Sequence, residues 1–133
     1  MAKKRFVPWG RTLTTNDNYL GKQKTKSKKT RPVVVVDTNN ENLAVVPLSS
    51  KKGKNRTELK GYKNFKTKQT TYYKHYLEIE DNEGNPIRVN KKFRENHKNM
   101  DVPLKSIDEI RSTIFTKAKT KQRNKNLYNK FHK

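Results

Sequence analysis

Two short apolar runs, Pro32-Val33-Val34-Val35-Val36-Asp37 and Leu43-Ala44-Val45-Val46-Pro47-Leu48, constrain this chain more than anything else in it. They are its only strongly apolar runs; the remainder is dominated by lysine and polar residues. Both are short and rich in β-branched residues, so they read as buried strands over 32–37 and 43–48. The intervening Thr38-Asn39-Asn40-Glu41-Asn42 is turn-forming and sets the two strands antiparallel. The start of the first then lies beside the end of the second, which brings Arg31 near Ser49. A cation beside a hydroxyl at a sheet edge is suited to hold a phosphate.

The rest of the composition limits what these strands can be part of. A chain of 133 residues is one domain by default, and with 29% hydrophobic and 34% charged residues its core must be small. The 33 Lys and Arg against 12 Asp and Glu give a formal net charge of +21. Self-repulsion at that charge opposes compaction, and a polyanion relieves it. Nucleic acid is therefore the leading partner class, ahead of a membrane surface.

No segment approaches the roughly 20 apolar residues needed to span a bilayer. The basic Met1-Ala2-Lys3-Lys4-Arg5 start has no apolar stretch behind it, so it is not a secretory signal. Zero cysteines exclude disulfides and cysteine-ligated zinc. The expectation is a cytoplasmic protein without a membrane partner.

Along the chain, residues 1–30 form a basic arm, of which 21–30 is a loop without apolar residues. Trp9 is expected to cover one end of the core because its area is large. Residues 51–70 read as a second basic loop interrupted by Tyr62 and Phe65. Tyr76-Leu77-Glu78-Ile79-Glu80 and Ile87-Arg88-Val89-Asn90 alternate polar and apolar around a turn at 81–85, predicting a β-hairpin. Leu77, Ile79, Ile87 and Val89 would face the core, while Glu78 and Arg88 pair across strands in solvent.

Ser106 at an N-cap and Glu109 three residues later form a capping box. Ile107, Ile110, Ile114 and Phe115 follow at helical spacing. The division is a basic arm at 1–30, a β domain at 31–115 and a basic tail at 116–133, anchored by Leu127, Tyr128 and Phe131 with its helicity left open. The fold class is mainly β with a C-terminal helix.

The Arg31-Pro32 pair opening a valine strand, with a second strand ending Val46-Pro47-Leu48-Ser49-Ser50, resembles the PemK/MazF family of toxin ribonucleases. The similarity is good over 28–50 and poor elsewhere. It implies a small, strongly bent SH3-like barrel that commonly dimerises, and metal-independent cleavage of single-stranded RNA. By motif match, Arg31 takes the place of the family's active-site arginine and Ser49 that of its hydroxyl residue. The RNA 2′-hydroxyl would attack the adjacent phosphate, with Arg31 stabilising the developing charge and Ser49 positioning an oxygen. An acidic antitoxin segment filling the basic groove is a further implication.

The loop before the Arg-Pro pair, Gly-rich in the family, is lysine-rich here. The late-strand acid of some members has its nearest counterpart in Asp101.

Asp101, His97 and His75 are the candidates for acid or base. The three histidines share no close spacing, so no metal site is expected, and no cofactor is implied. Lys28, Lys29, Lys51, Lys52, Lys54 and Arg56 are candidates for phosphate contacts, and Tyr73 for RNA contact. Tyr62, Phe65, Tyr72 and Tyr76 join Tyr73 as aromatics that can stack on unpaired bases. Plainer readings stand beside these: Ser49 as a strand-ending turn residue, the histidines as surface residues, the aromatics as cover for the core. The alternative function is a non-catalytic basic nucleic-acid-binding protein of phage, plasmid or ribosome-associated type.

Overall fold

The computed structural model describes residues 8–16, 30–38, 42–63, 69–81 and 93–131. Seven strands are present: β1 (Thr12–Asn16), β2 (Thr30–Thr38), β3 (Asn42–Ser49), β4 (Arg56–Lys63), β5 (Thr70–Lys74), β6 (Glu78–Asp81) and β7 (Phe93–Glu95). A 3₁₀ turn (Lys98–Met100) leads into two helices, α1 (Leu104–Thr116) and α2 (Lys121–Phe131). The fold is mainly antiparallel β with helices at the C-terminal side. The sheet runs β4-β5-β3-β2-β1-β7 and is open: among the described residues no pairing joins β4 to β7.

Strand β3 holds the sheet together. Along one edge it pairs with β2; along the other its first half pairs with β6 (Ala44 with Ile79) and its last residues with β5 (Ser49 with Tyr72). All four valines of β2 are fully buried. Alternation sends Val34 and Val36 to the main cluster with Ala44, Val46 and Leu48, and Val33 and Val35 to a second cluster with Leu13, Leu43 and Val45. Each buried aliphatic side chain contributes roughly 1.5–3 kcal/mol, which exceeds the ~1–2 kcal/mol needed to order one residue's backbone. The valine runs therefore carry the fold, whereas lysine-rich segments have nothing comparable to offset that cost.

The helices close the main cluster. Ile107, Ile110 and Ile114 of α1 are buried there with Phe131 of α2, while Phe115, Leu127 and Tyr128 pack at its edge. The segment expected as a basic tail is thus helical from Lys121 and supplies part of the core.

Asn124 joins these pieces. At the end of α1 the Ala118 N–H bonds to the Thr113 carbonyl, which releases the Ile114 carbonyl from the helical ladder. Asn124 Nδ2 donates to that carbonyl at 2.8 Å, and its Oδ1 accepts from the Leu77 N–H at 3.2 Å.

Several expectations change. Residues 51–70 are not one loop: β4 begins at Arg56 and β5 at Thr70, because Leu59 and the alternately buried Thr71 and Tyr73 bury one face of the pair. The capping box does not form. Helix α1 starts two residues before Ser106, with Pro103 as its N-cap and no side-chain cap bond. The fixed φ of proline suits helix entry, and its carbonyl accepts from the Ser106 and Ile107 N–H groups.

The first strand of the predicted hairpin is β6, which pairs with β3. Its partner at 87–90 lies outside the described residues. Arg88, its expected partner, lies outside the described residues, and Glu78 is not in solvent: it is largely buried, and burial raises its carboxyl above the usual range against the opposing pull of Arg123, 3.4 Å away. Trp9 does not close the core but stays 44% exposed. Among the described residues no helix is long and apolar enough to cross a membrane.

Candidate nucleic-acid interface

The register of β2 on β3 pairs Val34 with Val46 and Val33 with Pro47. The ladder between β2 and β3 ends at that pair, and Arg31 and Ser49 stand two residues beyond it, at the same end of the two strands. Arg31 also lies opposite Thr15 of β1, in an interior strand.

The guanidinium found at the Ser49 hydroxyl belongs to Arg56. Its Nη1 donates to Ser49 Oγ at 3.2 Å and to the Lys51 carbonyl at 2.9 Å. The Lys51 N–H donates to the same Oγ at 3.1 Å. These bonds fold residues 50–55 back on the end of β3. Asn55, at φ 58°, makes the turn into β4 in the left-handed region that asparagine tolerates.

Lys51, Lys52 and Lys54 are exposed along this loop. Cross-strand pairing adds Tyr72 opposite Ser49 and Lys74 opposite Arg56. One end of the sheet therefore gathers a hydroxyl, a guanidinium, exposed ammonium groups and a half-buried phenol ring. Groups of the first three kinds are suited to phosphate oxygens, and a ring of the last kind to an unpaired base.

A concavity of about 150 Å³ opens beside Ser49, lined among others by Pro32, Leu48, Ser50, Tyr62 and Thr71. Tyr62 donates to the Met100 carbonyl at 2.7 Å. Burial, and secondly the charge of Asp101, pushes its phenol up to about 12, so it remains a neutral donor at physiological pH.

Of the acid and base candidates, Asp101 is engaged by Arg11, whose Nε donates to Oδ1 at 2.7 Å. His97 is exposed, and its Nδ1 accepts from the Asn99 N–H at 3.1 Å within the 3₁₀ turn. His75 shares a 2.7 Å hydrogen bond with Thr57 Oγ1, and burial lowers its pKa, which favours the neutral ring. None of these three side chains lines the concavity.

Tyr73 is a correction. Expected at RNA, it is fully buried, and its hydroxyl bonds Thr113 Oγ1 of α1 at 3.0 Å. Alternation along β5 turns it inward and leaves Tyr72 on the outer face. Tyr76 is covered by Arg123, whose guanidinium carbon lies 3.7 Å from the ring centroid. Lys28, Lys29 and Phe65 lie outside the described residues. Among the described residues no group of three or more His, Asp or Glu side chains is placed to hold a metal.

Sequence reasoning missed the Arg56–Ser49 contact, because 51–70 read as a loop and gave Arg56 no register. Pairing Thr57 with Tyr73 as a second hairpin would have revealed it. No protein-family model matches the chain, and no curated protein or solved structure matches it either.

Proposed function

We propose that this chain binds single-stranded RNA, holding the sugar-phosphate backbone at the Ser49 end of the sheet. The observation that carries this reading is the Arg56–Ser49 contact at 3.2 Å, flanked by exposed Lys51, Lys52 and Lys54. Arg56 is already fixed by two acceptors, so little side-chain freedom remains to be lost when a phosphate arrives. The lysines add attraction without sequence preference. Action in the cytoplasm suits such a partner.

A cleaving version of the same site is favoured by one further observation, the β2–β3 pairing that leaves Arg31 and Ser49 at the same end of the two strands. On the PemK/MazF resemblance, the sheet would be part of an SH3-like barrel that dimerises and is neutralised by an acidic antitoxin. The RNA 2′-hydroxyl would attack the neighbouring phosphorus, the 5′-oxygen would leave, and a 2′,3′-cyclic phosphate would result. Arg31 and Arg56 would stabilise the equatorial oxygens, with Ser49 orienting one of them. His75, held toward its neutral form, is the titratable candidate closest in character to a base.

The test is incubation of the protein with a long single-stranded RNA in the presence of chelator, beside Arg31→Ala, Arg56→Ala and Ser49→Ala. Binding that weakens steeply with salt and drops in Arg56→Ala supports the binding reading. Discrete fragments ending in cyclic phosphate, absent with Arg31→Ala, support cleavage in addition. No binding at physiological salt defeats both.

A further inference from the structure

We infer that Trp9 and Arg111 form a stacking site for one unpaired nucleobase of the bound RNA, at the opposite end of β2 from Ser49. The inference rests on the RNA-binding reading and gives it a second point of attachment.

Trp9 is held in place by its neighbour. Gly10 donates to the Val35 carbonyl and accepts from the Val102 N–H, each at 2.7 Å. At φ +88°, with a Cβ position only 2.2 Å from the Val102 carbonyl oxygen, Gly10 is a site where only glycine fits. Trp9 is therefore fixed beside the start of α1.

Arg111 of α1 lies over the indole, with its guanidinium carbon 4.9 Å from the ring centroid. The same carbon lies 5.3 Å from the Tyr128 ring, and Arg111 Nη2 donates to the Tyr128 hydroxyl. That hydroxyl donates in turn to Oδ2 of the buried Asp37 at 2.5 Å. Burial and the Asp37 bond push the phenol up to about 12, so it keeps the proton that makes this contact. The guanidinium is thus pinned between two rings and anchored to the end of β2.

A tryptophan serving as a lid would be largely covered, since tryptophan is highly buried on average. This one keeps 44% of its surface exposed although Arg111 covers part of its ring, so the remaining indole faces solvent. Leu104, 61% exposed, lies two turns before Arg111 on the same side of α1.

A planar, polarisable ligand suits this surface better than an anion. Asp108, exposed one turn from both Leu104 and Arg111, disfavours a phosphate or an acidic peptide here. Nucleobases stack on tryptophan faces whatever their sequence. Arg31 and Asp37 are six residue steps apart, or about 20 Å of strand. A single strand crossing from one end to the other would bring its phosphates to the 50–55 loop and a base to Trp9.

Trp9 is the only tryptophan, so its emission reports the site directly in the full chain. The probes are an oligouridylate of about ten nucleotides, an abasic oligomer of equal length, and an acidic peptide. The expected result is quenched emission with oligouridylate and unchanged emission with the abasic oligomer, although both bind. Trp9→Ala should weaken oligouridylate roughly tenfold and leave the abasic oligomer unaffected. Trp9→Phe should retain most of the affinity, and the emission comparison in the unsubstituted chain keeps the test decisive if Trp9→Ala melts early by circular dichroism.

Equal quenching by both oligomers, or unchanged oligouridylate affinity in both variants, overturns the stacking site while leaving RNA binding intact. Quenching by the acidic peptide alone overturns it in favour of a protein-docking surface. Failure of both oligomers to bind defeats the RNA reading together with it.

Discussion

The helix face and the 50–55 loop use cationic residues in opposite ways. On the helix face the arginines are tied inward: Arg123 donates to the Leu77 carbonyl at 2.9 Å and reaches Glu78, while Arg111 is bonded to Tyr128. In the loop, Lys51, Lys52 and Lys54 are exposed ammonium groups, and only Arg56 is fixed, by oxygen acceptors rather than a carboxylate. The planar fork of arginine satisfies several acceptors at once with a rigid geometry. Lysine offers a mobile, strongly hydrated charge that follows a flexible polyanion. The comparison teaches that net charge alone does not distinguish cations that tie the fold together from cations left exposed.

Substitutions can break this comparison in either direction. The largest effect is expected at Asn124. Its truncation to alanine leaves the Leu77 N–H and the Ile114 carbonyl without their partner in a buried place, which should cost about 3 kcal/mol. Urea unfolding would measure that loss, and the salt dependence of RNA binding should not change. A parallel change in the salt slope would mean that the two regions are not separable.

The loop should answer in reverse. Replacing Lys51, Lys52 and Lys54 together by alanine is expected to reduce the slope of log affinity against log salt by about 2, from roughly 0.7 per contact on a single strand. Stability should stay within ~0.5 kcal/mol, because exposed lysines contribute little to the folded state. Filter binding at stepped salt concentrations, beside thermal melts, measures both. An unchanged slope would remove the loop from the interface.

The smallest effect concerns pH. Burial lowers the pKa of folded His75 below its ordinary 6.5, so the unfolded chain takes up that proton more readily. Stability contributed by the neutral ring is present above about pH 6.5 and declines as pH falls below it. His75→Asn should flatten that part of the profile in urea melts at about pH 7.5 and about pH 5.5. A profile unaltered by the substitution would show that Thr57 and the burial of the ring do not control its protonation.

The strands β2 and β3, the apolar side of α1 and the anchoring role of Phe131 were legible because burial leaves a periodic trace in residue type. Strands β4 and β5 were not. Their buried positions, Leu59, Thr71 and Tyr73, are few, and they sit among lysines that resemble a solvated loop. The start of α1 was misplaced because Ser106 and Glu109 match a cap pattern that Pro103 pre-empts.

At the candidate site, the antiparallel pairing that leaves Arg31 and Ser49 at the same end followed from the turn alone, whereas the contact of Arg56 with Ser49 required a register that composition cannot supply. Tyr73 and Tyr72 differ only in parity along β5, which no local chemistry announces.

Four consecutive valines carry no information about register, since sliding one such strand along another still sets valine beside valine. The irregularity between Val35 and Asp37 resolves this degeneracy. Beyond it Asp37 pairs with Ala44, a residue of the helix-facing cluster, and its carboxylate reaches Tyr128. A slipped alignment would part that carboxylate from the phenol and lose the hydrogen bond between them. The pairing of β2 with β3 is thus secured from outside the sheet as well, where a tyrosine hydroxyl from the second helix holds the carboxylate just past the irregularity.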